Sequence, residues 1–136
     1  MSERENKALI QKAFADWAAG TGGVFSLLAA HATWTIVGQS TVAGTYRSRD
    51  EFLTTVIAPF NARLASPLVP QVHALYADGD TVIAYFDASA TARDGRPYHN
   101  TYTWFLQIKD GSIVKAIAFF DSVEFNDFWT RVQPAS

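Results

Sequence analysis

Cysteine is absent from the 136 residues, which excludes disulfides, thiolate metal sites and cysteine nucleophiles and leaves the redox compartment open. An excess of one charge is also missing. Eleven Lys and Arg stand against thirteen Asp and Glu, for a net charge of −2, and the basic residues form no cluster. This argues against a nucleic-acid groove and against a polybasic membrane patch. Histidine is scarce: His31, His73 and His99 are too dispersed for a metal motif such as H-E-x-x-H, so no metal is expected. No apolar run approaches the ~20 residues that span a bilayer. The charged start Met1-Ser2-Glu3-Arg4-Glu5 lacks the apolar core of a signal peptide, so a soluble cytoplasmic protein is expected. Neither Gly-x-Ser-x-Gly nor the two glycine-rich phosphate-binding patterns occurs, which leaves serine-hydrolase chemistry unsupported and no cofactor expected.

What is present is apolar and aromatic, at 49% and 14% of the chain. That is rich for one domain of this length, and the surplus is expected to line a cavity or a subunit interface. Ser2, with Glu5 three residues on, can cap a first helix whose Ile10, Ala13, Phe14, Trp17 and Ala18 share one face, and Gly20-Thr21-Gly22-Gly23 stops it. A short helix over Val24 to Ala30 then leads into a strand Thr33 to Val37, and Gly38 to Gly44 reads as a loop. Ser48 or Asp50 can start a third helix through Phe52, Leu53, Val56, Ile57 and Phe60, which Pro59 kinks or shortens. Strands follow at about Gln71 to Ala77, Thr81 to Ala92, Tyr98 to Lys109 and Ile113 to Phe120, with Asp-Gly hairpin signals between them, and Val123 to Val132 reads as a last short helix. Helices followed by long antiparallel strands indicate an α+β domain, residues 1–136, with helices covering one face of a curved sheet.

Two aspartates stand out because each closes an apolar strand: Asp87 after Val82 to Phe86, and Asp121 after Ile113 to Phe120. A carboxylate in apolar surroundings is paired, solvated or protonated. Asp121 fits a general base that removes a carbon-bound proton beside a carbonyl, and equally fits the N-cap of the helix that follows. Asp87 fits a second acid or an orienting partner, and alternatively an ion pair with Arg93, Arg96 or Lys115. Alternation puts Asp87 on one face with Tyr85 and Ile83, and Asp121 with Phe119 and Ile117. Tyr85, Tyr102 and His99 are the candidate donors to an oxyanion. Trp17, Trp34 and Phe119 belong to an aromatic set that is core first, and part of it is expected to wall a pocket.

The order of elements resembles the SnoaL-like branch of the nuclear transport factor two superfamily. Its carriers are Trp34-Thr35-Ile36-Val37-Gly38, Ala43-Gly44-Thr45-Tyr46-Arg47, Asp94-Gly95-Arg96-Pro97-Tyr98-His99-Asn100, and Asp110-Gly111-Ser112-Ile113 through Phe120-Asp121, covering nearly the whole chain. The resemblance implies a cone-shaped α+β barrel of cystatin-like fold, with its sheet wrapped around N-terminal helices, a deep apolar pocket and a homodimer through the sheet. It also implies a choice of chemistries: polyketide cyclase, ketosteroid isomerase, scytalone dehydratase, limonene-epoxide hydrolase, or none. Laid on limonene-epoxide hydrolase, both acids of an Asp-Arg-Asp arrangement fall on Asp87 and Asp121. Tyr85 stands where that family has its arginine, and Trp34 and Ile36 stand where it has the tyrosine and asparagine that hold water. Laid on ketosteroid isomerase, the base falls near Thr35 and the oxyanion donor near Phe105 or Trp104. The expectation is an apolar small-molecule binder, enzymatic with Asp121 as base and Asp87 beside it, or a non-catalytic binding or dimerising protein. Tyr85, His99, Tyr102, Trp34, Phe119 and Trp17 are the expected ligand contacts. No nucleic acid or membrane partner is expected.

Overall fold

The structure, a computed structural model, describes residues 2–135. Ser2 and Glu5 bond reciprocally at the start of α1 (Glu3–Ala19), each backbone N–H reaching the other's side chain at 3.1 Å. Gly20, at φ 77°, ends the helix in the left-handed conformation that glycine takes without a Cβ penalty. The segment read as a second helix is instead a 3₁₀ turn, Val24–Leu27, and β1 (Leu28–Ile36) already begins at Leu28. Pairing of Leu28 with Ile113 and of Thr33 with Lys115 pins both ends of the alanine-rich stretch in the sheet, with a register irregularity between them, and this tertiary pairing outweighs local helix preference. A three-residue strand missed by the sequence reading, β2 (Gly44–Tyr46), pairs antiparallel with β1.

Ser48 caps the third helical segment, its side chain accepting from the Glu51 N–H. The segment runs as α2 (Arg49–Phe52), a π-helical turn (Leu53–Ile57) and α3 (Ala58–Asn61). Pro59 has no N–H to return to the carbonyl four residues back. The helix meets this by widening, and the Ala58 N–H reaches back five residues to Leu53 O.

Four long strands complete the sheet: β3 (Val69–Asp78), β4 (Thr81–Thr91), β5 (Pro97–Lys109) and β6 (Ser112–Phe120). The strand order is β2-β1-β6-β5-β4-β3, with β1 and β6 parallel and every other pair antiparallel. The curved sheet stays open, β2 and β3 forming its two edges. Asp110 and Gly111 both take positive φ, 51° and 79°, which matches the hairpin twist at the β5–β6 turn. The chain ends in α4 (Ser122–Arg131). Among the described residues no helix is long and apolar enough to cross a membrane.

Side-chain alternation divides the sheet into two chemically different faces. Val82, Ala84, Phe86 and Ala88 of β4 and Tyr98, Asn100, Tyr102 and Trp104 of β5 are buried on the inner face, against the helices. There Phe14 of α1 meets Phe86 edge-on at 4.8 Å, and the rings of Trp17 and Trp104 lie 7° from parallel. Ile83, Tyr85, Asp87 and Ser89, with His99 and Thr101, fall on the outer face.

Candidate functional site

A cavity of about 940 Å3 lies between the inner face of the sheet and the helical segments. Trp17 enters it from α1, Trp34 from β1, Tyr102 and Trp104 from β5, and Ala118 and Phe120 from β6. The Trp17 indole N–H donates to Leu68 O at 2.8 Å and ties α1 to the loop that precedes β3. No Asp, Glu, Lys, Arg or His is in the wall among the described residues; its polar side chains beside the indoles are Ser26, Asn61, Ser66 and Tyr102.

Tyr102 is joined to a buried hydrogen-bonded group behind the wall. Its hydroxyl lies 2.7 Å from the Tyr98 hydroxyl. The Asn100 Nδ2 donates to Tyr98 Oη and to Asp121 O, both at 3.0 Å. The Asn100 Oδ1 accepts from the Thr101 N–H at 2.8 Å and from the Asp121 N–H at 3.1 Å. Burial pushes the Tyr98 phenol up to about 12 and the Tyr102 phenol well above its ordinary value, so both stay protonated at neutral pH. Tyr98 and Asn100 were missed as site residues. The signal was available: positions 98, 100 and 102 share one face of a strand, and two phenols with an amide there are unusual beside Trp104 and Leu106.

Of the expected ligand contacts, Trp17, Trp34 and Tyr102 line the cavity. Tyr85 and Phe119 do not; they are 42% and 44% exposed on the outer face, which their β4 and β6 neighbours turn to the opposite side. His99 also points outward, to Asp87.

The two aspartates are not brought together at the cavity, which corrects the expectation that they share a pocket. Asp121 is exposed and caps α4, its Oδ1 accepting from the Val123 N–H at 2.9 Å and the Glu124 N–H at 3.4 Å. Asp87 stands on the outer face, and its partners are not the arginines or lysine weighed for it. The His73 and His99 Nε2 atoms lie 3.1 and 3.2 Å from its two oxygens, and Thr101 Oγ1 donates to Oδ1 at 2.8 Å. A bulge in β3 between Val72 and Ala74 places His73 beside β4 with this reach. The Thr101 hydrogen bond, then that of His73, hold the Asp87 carboxyl below its ordinary value. Among the described residues no group of three His, Cys, Asp or Glu is arranged to hold a metal ion.

Comparison with known proteins identifies the fold. Residues 10–116 match the sequence model of the SnoaL-like domain. No curated protein matches the sequence. An NTF2-like protein from Burkholderia thailandensis is similar at 23% identity and TM-score 0.73, over 92% of this chain and 95% of that one. An NTF2-like protein of unknown function from Burkholderia pseudomallei is similar at 19% identity and TM-score 0.75, over 96% and 99%. TerC, co-crystallised with polyporic acid, is similar at 16% identity and TM-score 0.72, over 92% and 98%. At these identities the likeness is one of fold.

The capping geometry gives a direct prediction. Asp121→Ala removes the acceptor of two helix N–H groups and lowers stability by about 0.5–2 kcal/mol, read from the urea midpoint, while apolar ligand uptake in the cavity is unchanged. Unchanged stability with lost uptake would place the carboxylate in the site instead.

Proposed function

The chain belongs to the SnoaL-like family, and from that premise we propose that it binds an uncharged, predominantly apolar small molecule in the cavity between sheet and helices, with Tyr102 as a polar contact. The observation that carries this reading is the composition of the wall: mainly aromatic and aliphatic, without a charged group among the described residues, and with the buried Tyr102 phenol as its largest polar side chain beside Ser26, Asn61 and Ser66. An ionic ligand would be stripped of water there without a counter-charge. The same wall bears on chemistry. Proton abstraction needs a base within reach of the carbon acid, about 3 Å, and the two candidate carboxylates stand elsewhere, one as a cap and one on the outer face. Tyr102, held protonated, serves as a donor and not as a base. Binding therefore has more support than the cyclase, isomerase or lyase chemistry hosted by similar folds, and more than epoxide hydrolysis.

Three indoles in the wall make the test optical. Titration with fluorene, an apolar tricyclic hydrocarbon, quenches tryptophan fluorescence saturably in the wild-type protein. Ala118→Phe fills the cavity and weakens this binding by about tenfold or more, whereas Asp87→Asn, on the opposite face, leaves it unchanged. Equal binding by Ala118→Phe would move the site away from the cavity.

We further infer that the outer face of the sheet meets a second copy of the chain. Register aligns Ile83, Phe105 and Ile117 in one row across three strands and Tyr85, Thr103 and Phe119 in the next. Phe105 and Phe119 meet edge-on at 5.9 Å. Asp87 lies beyond one side of these rows and Lys115 beyond the other, so a two-fold axis through the apolar patch turns each toward the other's end of the partner copy. Analytical ultracentrifugation checks this: a dimer for the wild-type protein and a monomer for Phe119→Arg, whereas a wild-type monomer at micromolar concentration would contradict it.

A further inference from the structure

The buried group behind Tyr102 has a direction, and that direction selects the ligand. The orientation of the Asn100 amide is fixed by its neighbours. Its oxygen faces two backbone N–H groups, of Thr101 and Asp121, which can only donate. Its nitrogen faces Asp121 O, which can only accept. The second Nδ2 hydrogen therefore points at Tyr98 Oη, and Tyr98 accepts.

Two arrangements remain for the hydroxyl pair. In the first, Tyr98 donates to Tyr102. In the second, Tyr102 donates to Tyr98, and the Tyr98 proton is left without an acceptor among the described residues in a side chain that is 2% exposed. An orphaned buried donor disfavours the second arrangement by about 5- to 150-fold. The first arrangement leaves the Tyr102 proton without an acceptor among the described residues. Tyr102 borders the cavity, where a ligand oxygen can receive it; Tyr98 does not border the cavity.

We infer that Asn100 is a positioning residue that, acting through Tyr98, makes Tyr102 a hydrogen-bond donor toward the cavity, so that the ligand presents an acceptor oxygen there, a carbonyl in preference to a hydroxyl donor. This rests on the binding reading above and narrows its ligand class. A donation chain of Asn100 to Tyr98 to Tyr102 also strengthens the last donor, because each hydroxyl that accepts a hydrogen bond donates a better one.

Fluorenone, fluorene and fluorenol share one ring skeleton and differ at a single position: an acceptor, no polar group, and a hydroxyl. The wild-type protein binds fluorenone about tenfold tighter than fluorene, and the carbonyl stretch of bound fluorenone falls below its value in hydrocarbon solvent. Tyr102→Phe brings the two affinities together and returns the stretch to the hydrocarbon value. Asn100→Asp places an acceptor where the amide N–H stood, turns both hydroxyls round and makes fluorenol the tighter ligand over fluorenone. Should that variant not fold, Tyr98→Phe provides the same check: the carbonyl shift shrinks while fluorene affinity holds. Equal wild-type binding of fluorene and fluorenone with an unshifted carbonyl stretch would overturn the inference and leave the binding reading standing. If neither compound binds, the binding reading falls and the inference with it.

Discussion

One buried side-chain amide holds the site end of this protein together. Asn100 projects from β5 at the level where β6 has run out, and its four hydrogen bonds stand in for a missing strand neighbour. It pairs the Asp121 N–H and shares the Asp121 carbonyl with the Phe125 N–H of α4, so the chain leaves the sheet with both backbone groups satisfied. With its backbone fixed, the Asp121 side chain is free to cap α4. The helix in turn brings Phe125 to the cavity wall and sets Phe128 against Tyr98 at 4.6 Å. An asparagine, whose amide both donates and accepts, thus occupies a position where an apolar residue could pack but could not pair.

The second organising constraint is the strict alternation of β4 and β5. It gathers the apolar and phenolic groups on the inner face and sends Asp87, His99 and Thr101 to the outer one. The carboxylate is satisfied there by a hydroxyl and two imidazoles, in a setting that holds it ionised. The cavity on the inner face is thus left without a charged side chain among the described residues. Among the polar side chains left in its wall, the Tyr102 phenol is kept protonated by burial and can donate a hydrogen bond.

Much of this architecture was legible in the sequence. The reciprocal Ser2 and Glu5 box, the glycine stop, the four long strands and the Asp110-Gly111 hairpin all follow from local rules, and the structure has them. The stretch Val24 to Ala30 was not legible, because its alanines are held in β1 by the pairing of their flanks, Leu28 and Thr33, with Ile113 and Lys115 of a strand far along the chain. Alternation also tied Asp87 to Tyr85 and Ile83, but which face of β4 turns inward is decided by what packs on it: Val82, Ala84, Phe86 and Ala88 form the apolar set that the helices cover. For Asp121 the sequence position is the same for a base and for a cap. Only the direction of its side chain separates them: the carboxylate turns to the α4 N–H groups while the Asn100 amide holds the Asp121 backbone, a contact across strands that no local pattern signals.

The central claim is that recognition occurs in the neutral cavity, at Tyr102, and away from both aspartates. A crystal structure of the wild-type protein with fluorenone tests it most directly. The account predicts the ring system in the cavity against the wall that holds Trp17, Trp34 and Trp104, with the ketone oxygen within hydrogen-bond distance of Tyr102 Oη and no contact to Asp87 or Asp121. Fluorenone seated on the outer face beside Asp87, or turned so that its oxygen faces away from Tyr102, would contradict it.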